Sequence, residues 1–430
     1  MACTVMQTAA RTGRHDGTGS TGGAVFISQK IAFCEIKSLR PGVHWPVNNG
    51  FAPTETECRC RGAYKNNGVF LNIGEREKME LCEAIKKITP IDREKMEEAW
   101  THWDSRCKPL RGFGRLEEMV VQLAGIEGTS APHCGKRAVV IMGADNGVVE
   151  EGVSQTGSEV TAQVLENMGN KISSVCIMSR ILNADVIPVN IGMNVDGVHP
   201  AIRNCAVRHG TGNIAKGPAM TREECIRAIE TGIRIVGELK EQGYEMIVTG
   251  EMGIGNTTTS AACACVLFDK KAEEVTGRGA GLSSEGLKKK IRVVQRAIEV
   301  NHPDPSDAID IMAKVGGLDI AGMTGCFLGA ALYQLPVLID GLISGISACF
   351  AVMLAPVAKE YMFPTHCTAE PAGQMVMARL QMKPLLYADM HLGEGTGAAA
   401  VLPLFDQALN VYSGLPGFDG GNVKAYEHLK

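Results

Sequence analysis

The chain has 430 residues, 45% of them hydrophobic, with a mean hydropathy of +0.02, enough to bury two or three domains or one elaborated domain. Its net charge of -4 is uneven: residues 1–70 carry eight Lys/Arg against four Asp/Glu, leaving 35 against 43 elsewhere, an acidic body that argues against nucleic acid as partner. No apolar run reaches the ~20 residues of a membrane span. The 15 cysteines include no CxxC pair and no Cys/His run at zinc-ligand spacing, which points to reduced core thiols in a cytoplasmic protein without a metal site.

Residues 1–70 lack helical or alternating periodicity and are rich in Gly, Thr, Arg and Asn. A disordered extension, a transit peptide and a start assigned upstream of the true one are all open readings. Pro41 to Pro46 would spoil the amphipathic helix of a transit peptide, and the third reading is preferred, with Leu71 or Met79 near the real start.

Helices are expected over 75–88, over 92–107 with Asp92 as cap, and over 116–123. From Arg137 the pattern changes to strand, turn and helix. Strands are expected over 138–142, 186–191, 246–249 and 336–340. Between and after them come helices over 158–168, 172–183, 221–241, 258–268, 285–300, 305–315, 319–332 and 342–355, and a last one after Gly397. Thr221 and Glu224 form a capping box at one of these starts. Apolar strands alternating with helices predict an α/β fold, a mostly parallel sheet covered on both faces. The segments 71–135 and 361–430 are expected to build a smaller helical domain, the latter carrying the catalytic loop, beside an α/β domain over 136–360.

In such a fold ligands bind outside the carboxyl ends of the strands. Two Gly-rich turns fall there. Gly253-Ile254-Gly255-Asn256-Thr257-Thr258 enters a helix, where free N–H groups, glycine's close approach and threonine hydroxyls suit a phosphate. It lacks the Gly-Lys-Ser/Thr ending of a Walker loop, and alone it is equally a Thr-capped helix. Glu251 would repel a phosphate, so accepting hydrogen bonds from ribose hydroxyls suits it better. Gly277-Arg278-Gly279-Ala280-Gly281 precedes Lys288-Lys289-Lys290, of which one lysine could reach a phosphate while the others stay solvated. Asp145 sits at a strand end, where it serves equally as a cap or turn former. Met252 is core filler by default. His366, His209 and His199 have no spaced partners for a metal.

The second turn is His391-Leu392-Gly393-Glu394-Gly395-Thr396-Gly397. Glycines on both sides of Glu394 remove neighbouring side chains and permit unusual backbone angles. A planar aromatic substrate could lie against that backbone while the carboxylate meets its edge. The plain alternative is an acid at a helix start, favoured by the dipole.

Five segments carry a resemblance. They are Gly143-Ala144-Asp145 with Gly147-Val148 and Glu151-Gly152-Val153, then Gly212 to Met220, Gly250 to Thr258, Lys314 to Gly325, and Leu392 to Ala399. In order and spacing the chain resembles the nicotinate-nucleotide–dimethylbenzimidazole phosphoribosyltransferase family from about residue 74 to residue 408. The resemblance implies a Rossmann-like large domain, a helical small domain, a homodimer, and transfer of phosphoribose from nicotinate mononucleotide to a benzimidazole-like base without a cofactor. It places the catalytic base on Glu394 and the ribose-phosphate contacts on Glu251, Gly253, Gly255, Asn256, Thr257, Thr258 and Lys290. Thr156 and Val164 match its base pocket, and Asp145, Met252 and Leu392 complete the expected acceptor set. Val164 stands where one well-known type of member has glutamine, Asn146 where relatives often have His, and His391 where they often have Arg. Adenine, another purine or a phenol as acceptor therefore stays open, as does a non-catalytic relative that binds the α-nucleotide.

Overall fold

The computed structural model describes residues 80–195 and 197–426. The expectations for residues 1–70, and the start of the first helix, lie outside the described residues.

The described chain opens with α1 (Leu81–Lys86), α2 (Arg93–Asp104) and α3 (Arg115–Glu127). The Asp92 side chain accepts a hydrogen bond from Lys95 N at 3.0 Å, so the cap lies where the sequence put it. Next come β1 (Arg137–Ala144), a 3-10 turn over Gly147–Glu151, α4 (Glu159–Gly169), α5 (Ser174–Ser179), β2 (Ala184–Gly192) and β3 (Arg203–Asn204). The helix expected over 172–183 is shorter: Ser173 caps its start, and turn residues over 180–183 lead into β2. Then α6 (Arg222–Glu241) starts with the full capping box: Glu224 N donates to Thr221 Oγ1 at 3.1 Å, and Thr221 N to Glu224 Oε2 at 2.9 Å.

The second half runs β4 (Met246–Met252), α7 (Asn256–Phe268), α8 (Ala272–Val275), α9 (Ser284–Asn301), α10 (Ala308–Val315), α11 (Leu318–Leu332), β5 (Val337–Ile339) and α12 (Leu342–Leu354). After a 3-10 turn over Pro356–Tyr361 come β6 (Met362–Pro364), α13 (Gly373–Leu380) and α14 (Thr396–Gly414). Strands β3 and β6 went unread because two or three residues are too few to show a period.

All six strands are parallel, in the order β3-β2-β1-β4-β5-β6. Every residue of β1 is buried, as a central parallel strand covered by helices requires. The chain winds outward from β1 through β2 to β3, then crosses back to β4 on the other side of β1. Loops leaving β1 and β4 therefore diverge and open a crevice at the carboxyl edge. At the opposite end, Arg137 is almost fully buried and donates to Asp406 on α14, with Nη1 to Oδ2 at 3.1 Å. That ion pair fixes α14, whose first turn reaches the crevice. Cys176, Cys225, Cys263, Cys265, Cys326 and Cys349 are free, buried thiols. Among the described residues no helix is long and apolar enough to cross a membrane.

Candidate active site

At the carboxyl edge of the sheet lies a cavity of about 260 Å³. Its wall takes residues 251–257 from the end of β4 and the start of α7, 340–344 from the end of β5 and the start of α12, and 391–394 ahead of α14. Val153 to Gln155, the 278–280 turn with Leu282, and His366, Thr368 and Glu370 complete it. Both Gly-rich turns thus face one space, although 136 residues of chain separate Thr258 from Glu394.

One end has features that suit an anion. Gly255 holds a left-handed backbone, φ +94°, at the start of α7, and no side chain caps that helix. A side chain at residue 255 would be strained there and would also meet Val149 at 2.9 Å. Lys290 on α9 is 1% exposed and donates from Nζ to Thr257 Oγ1 at 2.7 Å. Burial pushes this lysine down to about 8, against the pull of Glu370. Lys288 and Lys289 are exposed, so one lysine of the run is committed inward. Arg278 on the cavity wall donates to Leu282 O at 2.8 Å and Ser284 Oγ at 3.1 Å.

Carboxylates gather at the other end. Glu251 is buried, accepts from Asn256 Nδ2, and is pushed up to about 8 by burial first and then by Asp319, Asp340 and Glu394. The objection that Glu251 would repel a phosphate weakens accordingly, because burial and the neighbouring carboxylates favour its protonated form. Asp319, at the start of α11, rises to about 6, chiefly through burial. Glu394 is half-buried on the wall, with its backbone in the left-handed region at φ +59° between Gly393 and Gly395. Burial, and then the neighbouring Asp340, raise the affinity of Glu394 for a proton.

The structure brings together Glu251, Met252, Gly253, Gly255, Asn256, Thr257, Leu392 and Glu394 on the cavity wall. Lys290 joins through Thr257, whereas Thr258 is fully buried in α7. Asp145 lies off the wall: it is buried, and its Oδ2 accepts from Asn194 N at 2.7 Å, which ties down the loop after β2. Thr156 is exposed beside Gln155, and Val164 packs half-buried against the core.

Asp340 and His366 are wall residues that the sequence reading missed as site residues. Asp340 ends β5 as Glu251 ends β4, so a carboxylate at the carboxyl end of an apolar strand was the available signal. His366 follows the unread β6. Asp340 accepts from Gly395 N at 3.1 Å and Ala398 N at 2.9 Å. Burial lowers the proton affinity of the His366 ring, with Asp340 opposing that shift.

Comparison with known proteins agrees with this geometry. A family described as phosphoribosyltransferase matches residues 88–423. The nicotinate-nucleotide–dimethylbenzimidazole phosphoribosyltransferase of Ruminiclostridium cellulolyticum is 48% identical over 352 residues, 82% of this chain and 100% of the relative. Its namesake from Acetivibrio thermocellus is 47% identical, over 81% of this chain and 99% of the relative. The solved structure of the enzyme so named from Thermus thermophilus superimposes with a TM-score of 0.73 at 34% identity, covering 78% of this chain and 99% of that one.

Proposed function

The chain belongs to the nicotinate-nucleotide–dimethylbenzimidazole phosphoribosyltransferase family, and from that premise we propose how its own residues carry the reaction. The protein moves the 5-phosphoribosyl group of nicotinate mononucleotide to 5,6-dimethylbenzimidazole, giving α-ribazole 5′-phosphate and nicotinate. The 5′-phosphate sits at the start of α7, against the Gly253 to Thr257 backbone, with Lys290 as the point charge behind Thr257. Glu251, whose protonated form burial favours, hydrogen-bonds the ribose. The acceptor base lies near Met252 and Leu392 with its N–H edge toward Glu394.

The C1′–N bond to the pyridinium breaks with its electrons going to nicotinate, which departs without needing a proton. No general acid is required, so one carboxylate suffices where a glycosidase uses two, and no metal or cofactor enters the scheme. One ring nitrogen of the acceptor bonds to C1′ from the opposite face, inverting β to α. The positive charge that would remain on the ring is removed as the other nitrogen gives its proton to Glu394. Holding both rings in one cavity supplies the orientation.

The single observation behind this reading is that one cavity contains both the uncapped α7 start and Glu394. The chain acts as a homodimer, a reading that rests on the family resemblance. A turnover assay tests the reaction: nicotinate mononucleotide with 5,6-dimethylbenzimidazole in competition with benzimidazole, adenine and p-cresol. Release of nicotinate with an α-ribosyl product is expected, dominated by the dimethylbenzimidazole adduct. A folded protein that binds the nucleotide and forms no product would leave a binding module instead.

A further inference from the structure

Gly393, Glu394 and Gly395 are three consecutive residues with left-handed backbone, at φ +87°, +59° and +75°. Glycine adopts this region freely, whereas a glutamate held there is strained and persists only where its surroundings over-determine it. The restraint comes from 55 residues away in the sequence. Asp340, 3% exposed at the end of β5, spends both carboxylate oxygens on the first turn of α14: Oδ2 accepts from Gly395 N at 3.1 Å and Oδ1 from Ala398 N at 2.9 Å. No residue local to α14 provides a side-chain cap.

Asp340 is itself fixed. Its N–H donates to Ser344 Oγ at 3.0 Å, and Ser344 pairs with Thr249 Oγ1 of β4 at 2.6 Å. From the other side the His366 ring lies against Gly397 so closely that it leaves no room for a Cβ there. Thr365 Oγ1 donates to Ile339 O at 2.6 Å and lies 3.3 Å from His366 Nδ1, so it accepts from the ring. The turn carrying Glu394 is thus clamped between the carboxylate that ends β5 and the imidazole that follows β6. Thr396 Oγ1 closes it locally by donating to Gly393 O at 2.7 Å.

We propose that Asp340 is a positioning residue for phosphoribosyl transfer, acting through the amides of Gly395 and Ala398 to hold the Glu394 carboxylate where it takes the acceptor's proton. This rests on Glu394 being the base. Asp340 has a second effect on the same group: its nearby charge makes Glu394 more basic.

The test is a double-mutant cycle on the full chain with nicotinate mononucleotide and 5,6-dimethylbenzimidazole. Asp340→Asn keeps the shape, loses the charge, and turns an NH₂ toward one of the two amides. Its kcat should fall about 10- to 100-fold, the scale of a ~1 Å misplacement of a reacting group, while KM for nicotinate mononucleotide stays within a few-fold. The acid limb of its kcat–pH profile should move to lower pH, since Glu394 loses an anionic neighbour. In a Glu394→Gln background the same change should cost no more than about twofold, because both substitutions remove one function. An unchanged kcat in Asp340→Asn, or losses that multiply in the double variant, would overturn the proposal. Wild-type turnover by Glu394→Gln alone would instead remove the base reading, a separate outcome. If Asp340→Asn does not fold, Asp340→Ser, which retains one acceptor, is taken through the same cycle and judged by the same criteria.

Discussion

The two ends of the cavity are made of opposite materials. At the α7 end the features that suit an anion are the helix start and glycine space of one strand–turn–helix unit, with one buried lysine reaching in from α9. At the other end Glu251, Asp340 and Glu394 come from β4, β5 and the approach to α14, and burial or mutual repulsion raises the proton affinity of all three. Nicotinate mononucleotide has a matching asymmetry, a phosphate dianion at one end and a cationic pyridinium ribosyl bond at the other. As that bond breaks, positive charge develops on the ribose, which the Asp340 and Glu394 carboxylates favour more than they favour the ground state. The contrast suggests that the α7 end binds and the carboxylate end reacts.

Substitutions at the two ends should therefore fail differently. Glu394→Gln is expected to lower kcat by ~10²–10⁴-fold, the usual worth of a positioned base, with nucleotide binding retained in a calorimetric titration. Equal losses of kcat and affinity would erase the distinction between the ends. Lys290→Met should act the other way. A hydrogen bond to a charged group is worth ~1.5–3 kcal/mol, so affinity for nicotinate mononucleotide should fall by about 10- to 150-fold. Nicotinate riboside, which has no phosphate, should bind the variant and the parent alike.

The pH dependence sharpens the same comparison. Lys290 is depressed to about 8 in the free protein, and a bound phosphate would raise it. A ligand that prefers the protonated lysine binds fully below that value and loses affinity as pH rises through it. Titrations at pH 7 and pH 9 should show weaker binding of the nucleotide at the higher pH. Glu251, raised to about 8, also becomes an anion over this range and works in the same direction. Nicotinate riboside separates the two: its pH response reports Glu251 without the phosphate–lysine pair.

The two ends also differed in how far they could be read from the sequence. The α7 end is local, so strand, glycine turn and threonines stand together in one decapeptide and could be read as one unit. Lys290 needed three dimensions, since a run of three lysines does not show which one is buried. The carboxylate end is long-range. Glu394 stood out through its flanking glycines, but the link from Asp340 to Gly395 crosses 55 residues and has no periodicity to betray it. His366 looked solitary because the groups packed around it, Asp340 and Gly397, arrive from other segments of the chain. The fold was legible where capping boxes and apolar runs were long, as at α6 and β1, and illegible at β3 and β6, which exist only by pairing with their neighbours.

Val164 gives the smallest expected effect and the most direct check on what the resemblance alone implied. It was assigned to the acceptor pocket by correspondence with a glutamine, yet here it packs half-buried against the core and off the cavity wall. If the wall sets acceptor choice, Val164→Gln should change the product ratio between 5,6-dimethylbenzimidazole and benzimidazole by no more than about twofold, the ~0.5 kcal/mol of a substitution remote from the chemistry. Leu392, 57% exposed on the wall beside Glu394, should matter more, and Leu392→Ala should shift that ratio further than Val164→Gln does. The reverse order would mean that α4 moves against the cavity once the nucleotide is bound. The carboxylate end would then be completed by the substrate rather than preformed, unlike the α7 end, where Lys290 already meets Thr257.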